Sequence, residues 1–485
     1  MEFELAEPAA KIEKDLREHA PRANGLYFIA GTALMQGEAE ELSLNSHRPN
    51  IVYVHSHDTG RYVQPYGHAV ATPNIQKLAE EGVLFRQAFS ASPTCSPSRT
   101  SLLTGQCPHR SGMLGLAHRG FRLNDPKRHI AHTLQGAGYE TAMVGQQHMG
   151  RYVNGWEQVD ELGYVRILDR EATQIDAVRN AAVAFVKEPH ERPFFLSVGF
   201  FETHRPFDET PDPRDNPRYT LPPSSLPDTP AVRRDMAAFK ASARRLDAAM
   251  GEVFDAIEAA GLADNTVVVC TTDHGIAFPG MKCTLTDRGT GVMLIIRGPG
   301  GFEGGKVVDE LVSQIDLFPT LCDLLAIEHP AWLDGCSFLP LINGATSAAR
   351  SEIFAEVNYH AAYEPMRSAR TKRWKYIRRY DDRPGPVLAN CDDSPSRDVL
   401  LESGWKTRAE PQELLFDLVF DPNEANNLAD RAQWSNELAD MRRRLDAWMD
   451  KTDDPLRRGP ILLPEGATVN SREQTSASEP KGRAI

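Results

Sequence analysis

The chain is poor in cysteine, contains no long apolar run and carries no excess of positive charge. Its seven cysteines, Cys95, Cys107, Cys270, Cys283, Cys322, Cys336 and Cys391, are scattered through 485 residues. None falls in CxxC spacing, which argues against a disulfide framework and for reduced thiols in a cytosol-like compartment. The opening MEFELAEPAAKIEKDL has mixed charge and no apolar core, and the apolar stretch LYFIAGTALM is short. A bilayer span needs roughly twice that length. Lys and Arg total 54 against 67 Asp and Glu, a net charge of −13, and the pI is near 5.7. That balance excludes a global basic footprint for nucleic acid, although a local pocket can still oppose the field and hold an anion. The expectation is a soluble, cytoplasmic protein with neither nucleic-acid nor membrane partners.

What is present is an ordinary globular composition, 41% hydrophobic and 25% charged, in a chain long enough for a large core. Apolar strands alternate with amphipathic helices: PNIVYVHSHD, TPNIQKLAEEGVLF, HTLQGAGYETAMVG, PFFLSVGF, MGEVFDAIEAAGLADNTVVVCTTDHG and VMLIIRGPG. This pattern predicts an α/β sandwich with a mostly parallel central sheet flanked by helices. The texture changes after residue 350. PMRSARTKRWKYIRRYDD reads as a strand with a solvated basic face, and NELADMRRRLDAWMDKT as a charged helix. The expected organisation is an N-terminal extension over 1–48, a main domain over 49–350, a smaller α+β subdomain over 351–458 and a mobile tail over 459–485. The N-terminal arm is compatible with a homo-oligomer.

Polar residues follow the apolar runs. His57 and Asp58 follow IVYV, Cys95 follows VLFRQAFS, and His148 follows AMVG. His204 follows FFLSVGFF, while Asp273 and His274 follow TVVVCTT. In sheets of this kind, ligands gather beyond the carboxyl ends of the strands. Each histidine alone reads as a structural residue; five clusters at five strand ends point to one site.

The stretch SPTCSPSRTSLLTG holds the most specific chemistry. Ser96 suits an N-cap, Pro97 the first helical position and Gly105 the stop. Cys95 is then expected just outside the positive end of a helix, beside Arg99, in a polar and unburied setting fit for a thiolate or an oxyanion.

Cys95-Ser96-Pro97-Ser98-Arg99 with Leu103-Thr104-Gly105 resembles the sulfatase signature, part of the alkaline-phosphatase-like superfamily. VSQIDLFPTLCDLLAI, DGCSFLPLI, MRSARTKRWKYI and ELLFDLVFDPNEANNLA extend the resemblance from about Arg48 to Thr452. SGMLGLAHRGF, FFETHRPF and DHGIAFPGMK look most like the heparan N-sulfatase branch. The resemblance implies that a formylglycine-generating enzyme oxidises Cys95 to Cα-formylglycine, whose hydrate attacks sulfur. It implies a divalent metal on Asp58, Asp273, His274 and the modified Cys95, with His57 in place of another acidic ligand. Hard oxygen ligands favour calcium or magnesium, while two imidazoles admit manganese. It further implies that Arg99 holds the formylglycine oxygen and that His148 deprotonates its second hydroxyl. His204 would protonate the leaving group, and Lys282 would bind the sulfate.

Two positions depart from the family pattern. Gln146 stands where a lysine is usual, and His57 where an aspartate is usual. Both remove charge while leaving side chains able to donate or ligate. The reading implied is a sulfatase acting on a small sulfate monoester or N-sulfated amine, such as a sulfated sugar. The alternatives are a phosphonate monoester or phosphodiester hydrolase of the same superfamily, and a non-catalytic anion- or carbohydrate-binding protein on that fold.

Overall fold

The computed structural model describes residues 48–150, 159–207 and 212–482, so the expected N-terminal arm lies almost wholly outside the described residues. The described residues from Pro49 on form one compact unit. Its twelve described strands are β1 (Asn50–Ser56), β2 (Val83–Phe89), β3 (Glu140–Gly145), β4 (Arg166–Ile167), β5 (Phe194–Gly199), β6 (Thr266–Thr272), β7 (Leu294–Arg297), β8 (Lys306–Ser313), β9 (Glu352–Tyr359), β10 (Tyr363–Thr371), β11 (Trp374–Arg379) and β12 (Glu413–Asp417). The helices used below are α1 (Pro73–Glu81), α2 (Cys95–Thr104), α3 (Ile130–Gly136), α4 (Ile175–Val186), α5 (Pro230–Ala259), α6 (Leu317–Leu324) and α7 (Ser435–Lys451).

The first eight strands form one sheet in the order β4-β3-β5-β1-β6-β7-β2-β8. Every neighbouring pair is parallel except those made by β7, which runs against both β6 and β2. β1 shows why the sheet is buried on both faces. Ile51 and Tyr53 face one core, while Val52 and Val54 face the other, the two-residue period of a pleated strand. One face is covered by α1, α4 and α5 through residues such as Leu78, Phe185 and Met250. α2, α3 and α6 cover the other through Leu102, Leu134 and Phe318.

The second sheet is antiparallel, in the order β12-β11-β10-β9. Residue 350 falls between the last strand of the first sheet and the first strand of the second. α7 lays Leu438, Met441, Leu445 and Met449 on Tyr359, Tyr376 and Leu415. The basic run is a hairpin, β10 and β11, rather than one strand, and only Lys372 and Arg373 at its turn are exposed, while Arg367, Arg370, Lys375 and Arg379 are buried. Arg367 is fully buried and grips Asp454 through Nε and Nη2 at 2.5 and 3.0 Å. Arg370 and Lys375 both reach Asp287, which follows the first sheet's β6. The alternation expected there is real, but both faces are covered.

The expected mobile tail is instead packed over its described part, up to residue 482. Ile461, Ala467 and Val469 are buried, and Arg119 donates to Asn470 Oδ1 at 2.8 Å. Its prolines and polar residues make turns that bond to Arg119, Ala361, Tyr363 and Arg397.

Candidate active site

β1, β2, β3, β5 and β6 all point the same way, so the segments following them emerge along one edge of the sheet. The five polar clusters foreseen at strand ends therefore meet. Asp58 follows β1 with φ of 52°, a left-handed turn that short polar side chains tolerate. Its backbone N–H donates to Asp273 Oδ1 at 2.9 Å, as does that of His274. Asp273 Oδ2 lies 3.0 Å from both His57 Nδ1 and Arg99 Nη2.

α2 delivers Cys95 to this group, with two differences from expectation. The helix begins at Cys95 itself and its N-cap is Thr94; Ser96 lies within the first turn, where its hydroxyl accepts from Ala117 N–H at 3.0 Å. Cys95 is also buried, at 1% exposure. The polarity of its neighbours marks internal partners instead of solvent: Ser98 Oγ donates to the Asp273 carbonyl at 2.5 Å. Gly105 ends the helix with φ of 66°, as foreseen.

Cys95 Sγ lies 3.4 Å from His274 Nε2. His274 Nδ1 is 3.0 Å from the Gly275 carbonyl, which fixes the proton on Nδ1. The Nε2 lone pair is thereby turned to Cys95 and to Asp58 Oδ1, 3.4 Å away. His204 repeats the arrangement. Its Nδ1 faces the Arg205 carbonyl at 2.5 Å and its Nε2 stands 3.8 Å from Asp58 Oδ2. The loop carrying it is pinned by Arg205, which forks onto Asp235 at 2.7 and 2.8 Å.

Lys282 Nζ reaches Asp58 Oδ2 at 2.9 Å and Asp392 Oδ2 at 3.1 Å. His148, with φ of 51°, faces His118 Nδ1 through Nε2 at 2.8 Å. Gln146 is half-buried at the end of β3, its backbone N–H on the Gly199 carbonyl at 2.8 Å. All ten residues singled out from the sequence thus lie on the same edge. Three partners were not foreseen: His118, Asp392 and His55, whose Nδ1 lies 2.6 Å from Arg99 Nη1. His118 sits in LAHRGF and Asp392 in the turn-rich NCDDSP, and neither follows a strand of the first sheet. His55 lies within β1, where the sequence reads as core.

Burial penalises charge throughout this site, and neighbouring charges decide what survives. Burial pushes the Cys95 thiol well up, with Asp58 and Asp273 adding to it against Lys282. Burial also opposes ionisation of Asp58, yet Lys282, His204 and His274 hold its carboxyl well below the usual range. Asp273 is held down likewise by His274, Arg99 and His57. Lys282, despite burial, is pushed well up by Asp392 and Asp58. Burial, His57 and His118 drive His148 well down and keep it neutral.

The donor set fits a divalent cation. His57, Asp58, Cys95 and Asp273 each offer a ligand atom within 4.8 Å of the others. Asp58 Oδ1 and His57 Nε2 are buried without hydrogen-bond partners, and His57 Nδ1 faces Asp273 Oδ2 at 3.0 Å without hydrogen-bonding alignment. Buried polar atoms are rarely left so, and lone pairs converging on one point are what a hard cation takes up.

The sulfatase family model matches residues 49–327, and one described as N-sulphoglucosamine sulphohydrolase, C-terminal, matches 282–397. Human N-sulphoglucosamine sulphohydrolase is 30% identical over 457 residues, covering 82% of this chain and 88% of that protein. An ulvan-active sulfatase of Formosa agariphila is 28% identical over 92% of this chain and 82% of its own. A solved structure in complex with its substrate D-glucosamine-2-N,6-O-disulfate superposes with a TM-score of 0.67. It is 18% identical and covers 84% of this chain and 98% of that one. The chain belongs to the sulfatase family of sulfuric ester hydrolases, which works with a divalent metal.

Proposed function

We propose that the protein hydrolyses a small sulfate monoester or N-sulfated amine, and that Cys95 acts as Cα-formylglycine after oxidation by a maturation enzyme. The observation that carries this is the meeting of Cys95 with Asp58, Asp273, His57 and His274 at one buried point. A thiol pushed up by burial is a poor nucleophile. An aldehyde hydrate at the same place offers two hydroxyls in its stead.

One hydroxyl attacks sulfur while the S–O or S–N bond to the leaving group breaks. His204 stands on the leaving-group side, its Nδ1 proton tied to the Arg205 carbonyl and its Nε2 free to pass on a second proton. Bound sulfate adds negative charge beside His204 and favours its protonated form. His148, neutral and backed by His118, takes the proton of the second hydroxyl. The C–O bond to sulfate then breaks, the aldehyde re-forms, and water restores the hydrate.

Asp58, Asp273, His57 and His274 would hold the metal, which when bound acidifies the attacking hydroxyl and neutralises sulfate oxygens. We assign calcium, because the two carboxylates are hard donors in a buried, crowded site. Lys282, tied to Asp58 and Asp392, is placed to turn to the sulfate on binding.

The names of the relatives direct the choice of probes. Matured protein is assayed with N-sulfoglucosamine, a sugar O-sulfate, an aryl sulfate and a phosphonate monoester, each with calcium. Turnover of a sulfate or sulfamate above the phosphonate is expected. Preference for the phosphonate would overturn the reading. We place the protein in the cytoplasm on its odd, scattered cysteine set; no described helix is long and apolar enough to cross a membrane.

A further inference from the structure

At the other end of α2, beyond the Gly105 that stops it, three unlike donors converge away from the site above. Cys107 Sγ lies 3.6 Å from His109 Nε2, and that nitrogen lies 3.3 Å from the Thr452 carbonyl oxygen. Both side chains are closed off from solvent, at 3% and 1% exposure. Yet Cys107 and Thr452 line a cavity of about 730 Å³, with Asp334, Arg350, Arg443 and Arg444 also on its wall. We propose that Cys107, His109 and the Thr452 carbonyl form a second metal site, for a thiophilic dication of the zinc class.

The distances fit such an ion. Tetrahedral bonds of ordinary length to zinc put sulfur about 3.5 Å from a ligating nitrogen, and that nitrogen about 3.3 Å from a ligating oxygen. The two edges observed are 3.6 and 3.3 Å. Cys107 and Thr452 both border the cavity, which can supply water or a small anion as a further ligand.

The surroundings hold the imidazole as a ligand. His109 Nδ1 bonds Glu356 Oε2, whose other oxygen accepts from Asn358 Nδ2 at 2.9 Å. This is the carboxylate–histidine–metal arrangement, which fixes the tautomer and turns Nε2 to the ion. The ring is set edge-on against Trp448 at 5.4 Å. Arg367 balances Glu356 and Asp454, so the carboxylate stays on His109.

Two further features draw a cation. The Thr452 carbonyl closes the C-terminal end of the seventeen-residue α7, the negative pole of its dipole. Asp334 Oδ2 lies 3.4 Å from Cys107 Sγ and accepts from its N–H at 3.0 Å. The Asp334 and Glu356 carboxylates beside these donors attract a dication, which on binding replaces the thiol proton and any proton on Nε2. Cys107-x-His109 is not a familiar spacing, and the third donor lies 343 residues further along the chain.

The test is zinc binding by the full chain in excess calcium, which keeps the first site filled. The expected result is about one tightly held zinc per chain in the parent and in Cys95→Ala. Cys107→Ser and His109→Gln should bind it roughly tenfold more weakly or worse. Cobalt added to Cys95→Ala protein should give a thiolate-to-cobalt absorption band, a readout that stands if either ligand variant fails to fold. Absence of both zinc uptake and the band overturns the site, as does zinc binding lost in Cys95→Ala but kept in Cys107→Ser. None of these measurements depends on sulfatase turnover.

Discussion

Asp58 Oδ2 lies 2.9 Å from Lys282 Nζ, while Asp58 Oδ1 has no hydrogen-bond partner. One oxygen of a buried carboxylate is thus neutralised by a lysine, and the other is left as a bare lone pair. In the proposed reaction that division would separate a metal side of the site from a sulfate side.

Calcium at about a hundred times its Kd should stabilise the protein by about 2.7 kcal/mol, seen as a rise in Tm that chelation reverses. Asp58→Asn should lose most of that rise. An undiminished calcium shift in Asp58→Asn would place the ion elsewhere.

His204 separates substrates by their leaving groups. His204→Ala should slow a sulfated sugar by on the order of a hundredfold or more, and a nitrophenyl sulfate far less, because nitrophenolate leaves unprotonated. Equal losses on both would mean that His204 only positions the sulfate.

Cys95→Ala should remove turnover by a factor on the order of 10⁴ or more, the scale for loss of a nucleophile. Its thermal stability should change by no more than about 1 kcal/mol, since the side chain is small and its Sγ contacts the polar site. A collapse in Tm would show that Cys95 is chiefly a packing residue.

The pH dependence of stability has a separate origin. Burial, with the charge of Asp287 beside it, pushes Glu424 from 4.5 up to about 7. Arg370 and Lys375 hold Asp287 ionised despite its own burial. The folded form therefore binds an extra proton between those two values, so this contribution is full below about pH 4.5 and is lost as pH rises through about 7. Glu424→Gln keeps an acceptor for the Asp287 N–H. It should reduce the fall in stability from about pH 5 to about pH 8 by on the order of 2 kcal/mol. An unchanged slope in denaturant titrations would assign the dependence to other groups.

Much of the site was legible because α/β sheets send their ligands to one edge. His57, Asp58, Cys95, His148, His204, Asp273 and His274 each follow an apolar run, and strand polarity does the rest. The partners that tune them were not legible. Asp392 and His118 come from segments whose position depends on tertiary packing, and His55 is a polar residue inside a strand. Around Cys95, at Arg367, Arg370 and Lys375, and in the tail after Gly459, polar residues bond to distant parts of the chain rather than to water, which the local sequence does not disclose.

The most direct measurement is mass spectrometry of the peptide containing Cys95, from protein made together with a competent formylglycine-generating enzyme. The expected result is the mass of the aldehyde or its hydrate, with sulfatase turnover rising in proportion to the fraction converted. A peptide that remains a thiol in protein that still turns over sulfate would contradict it.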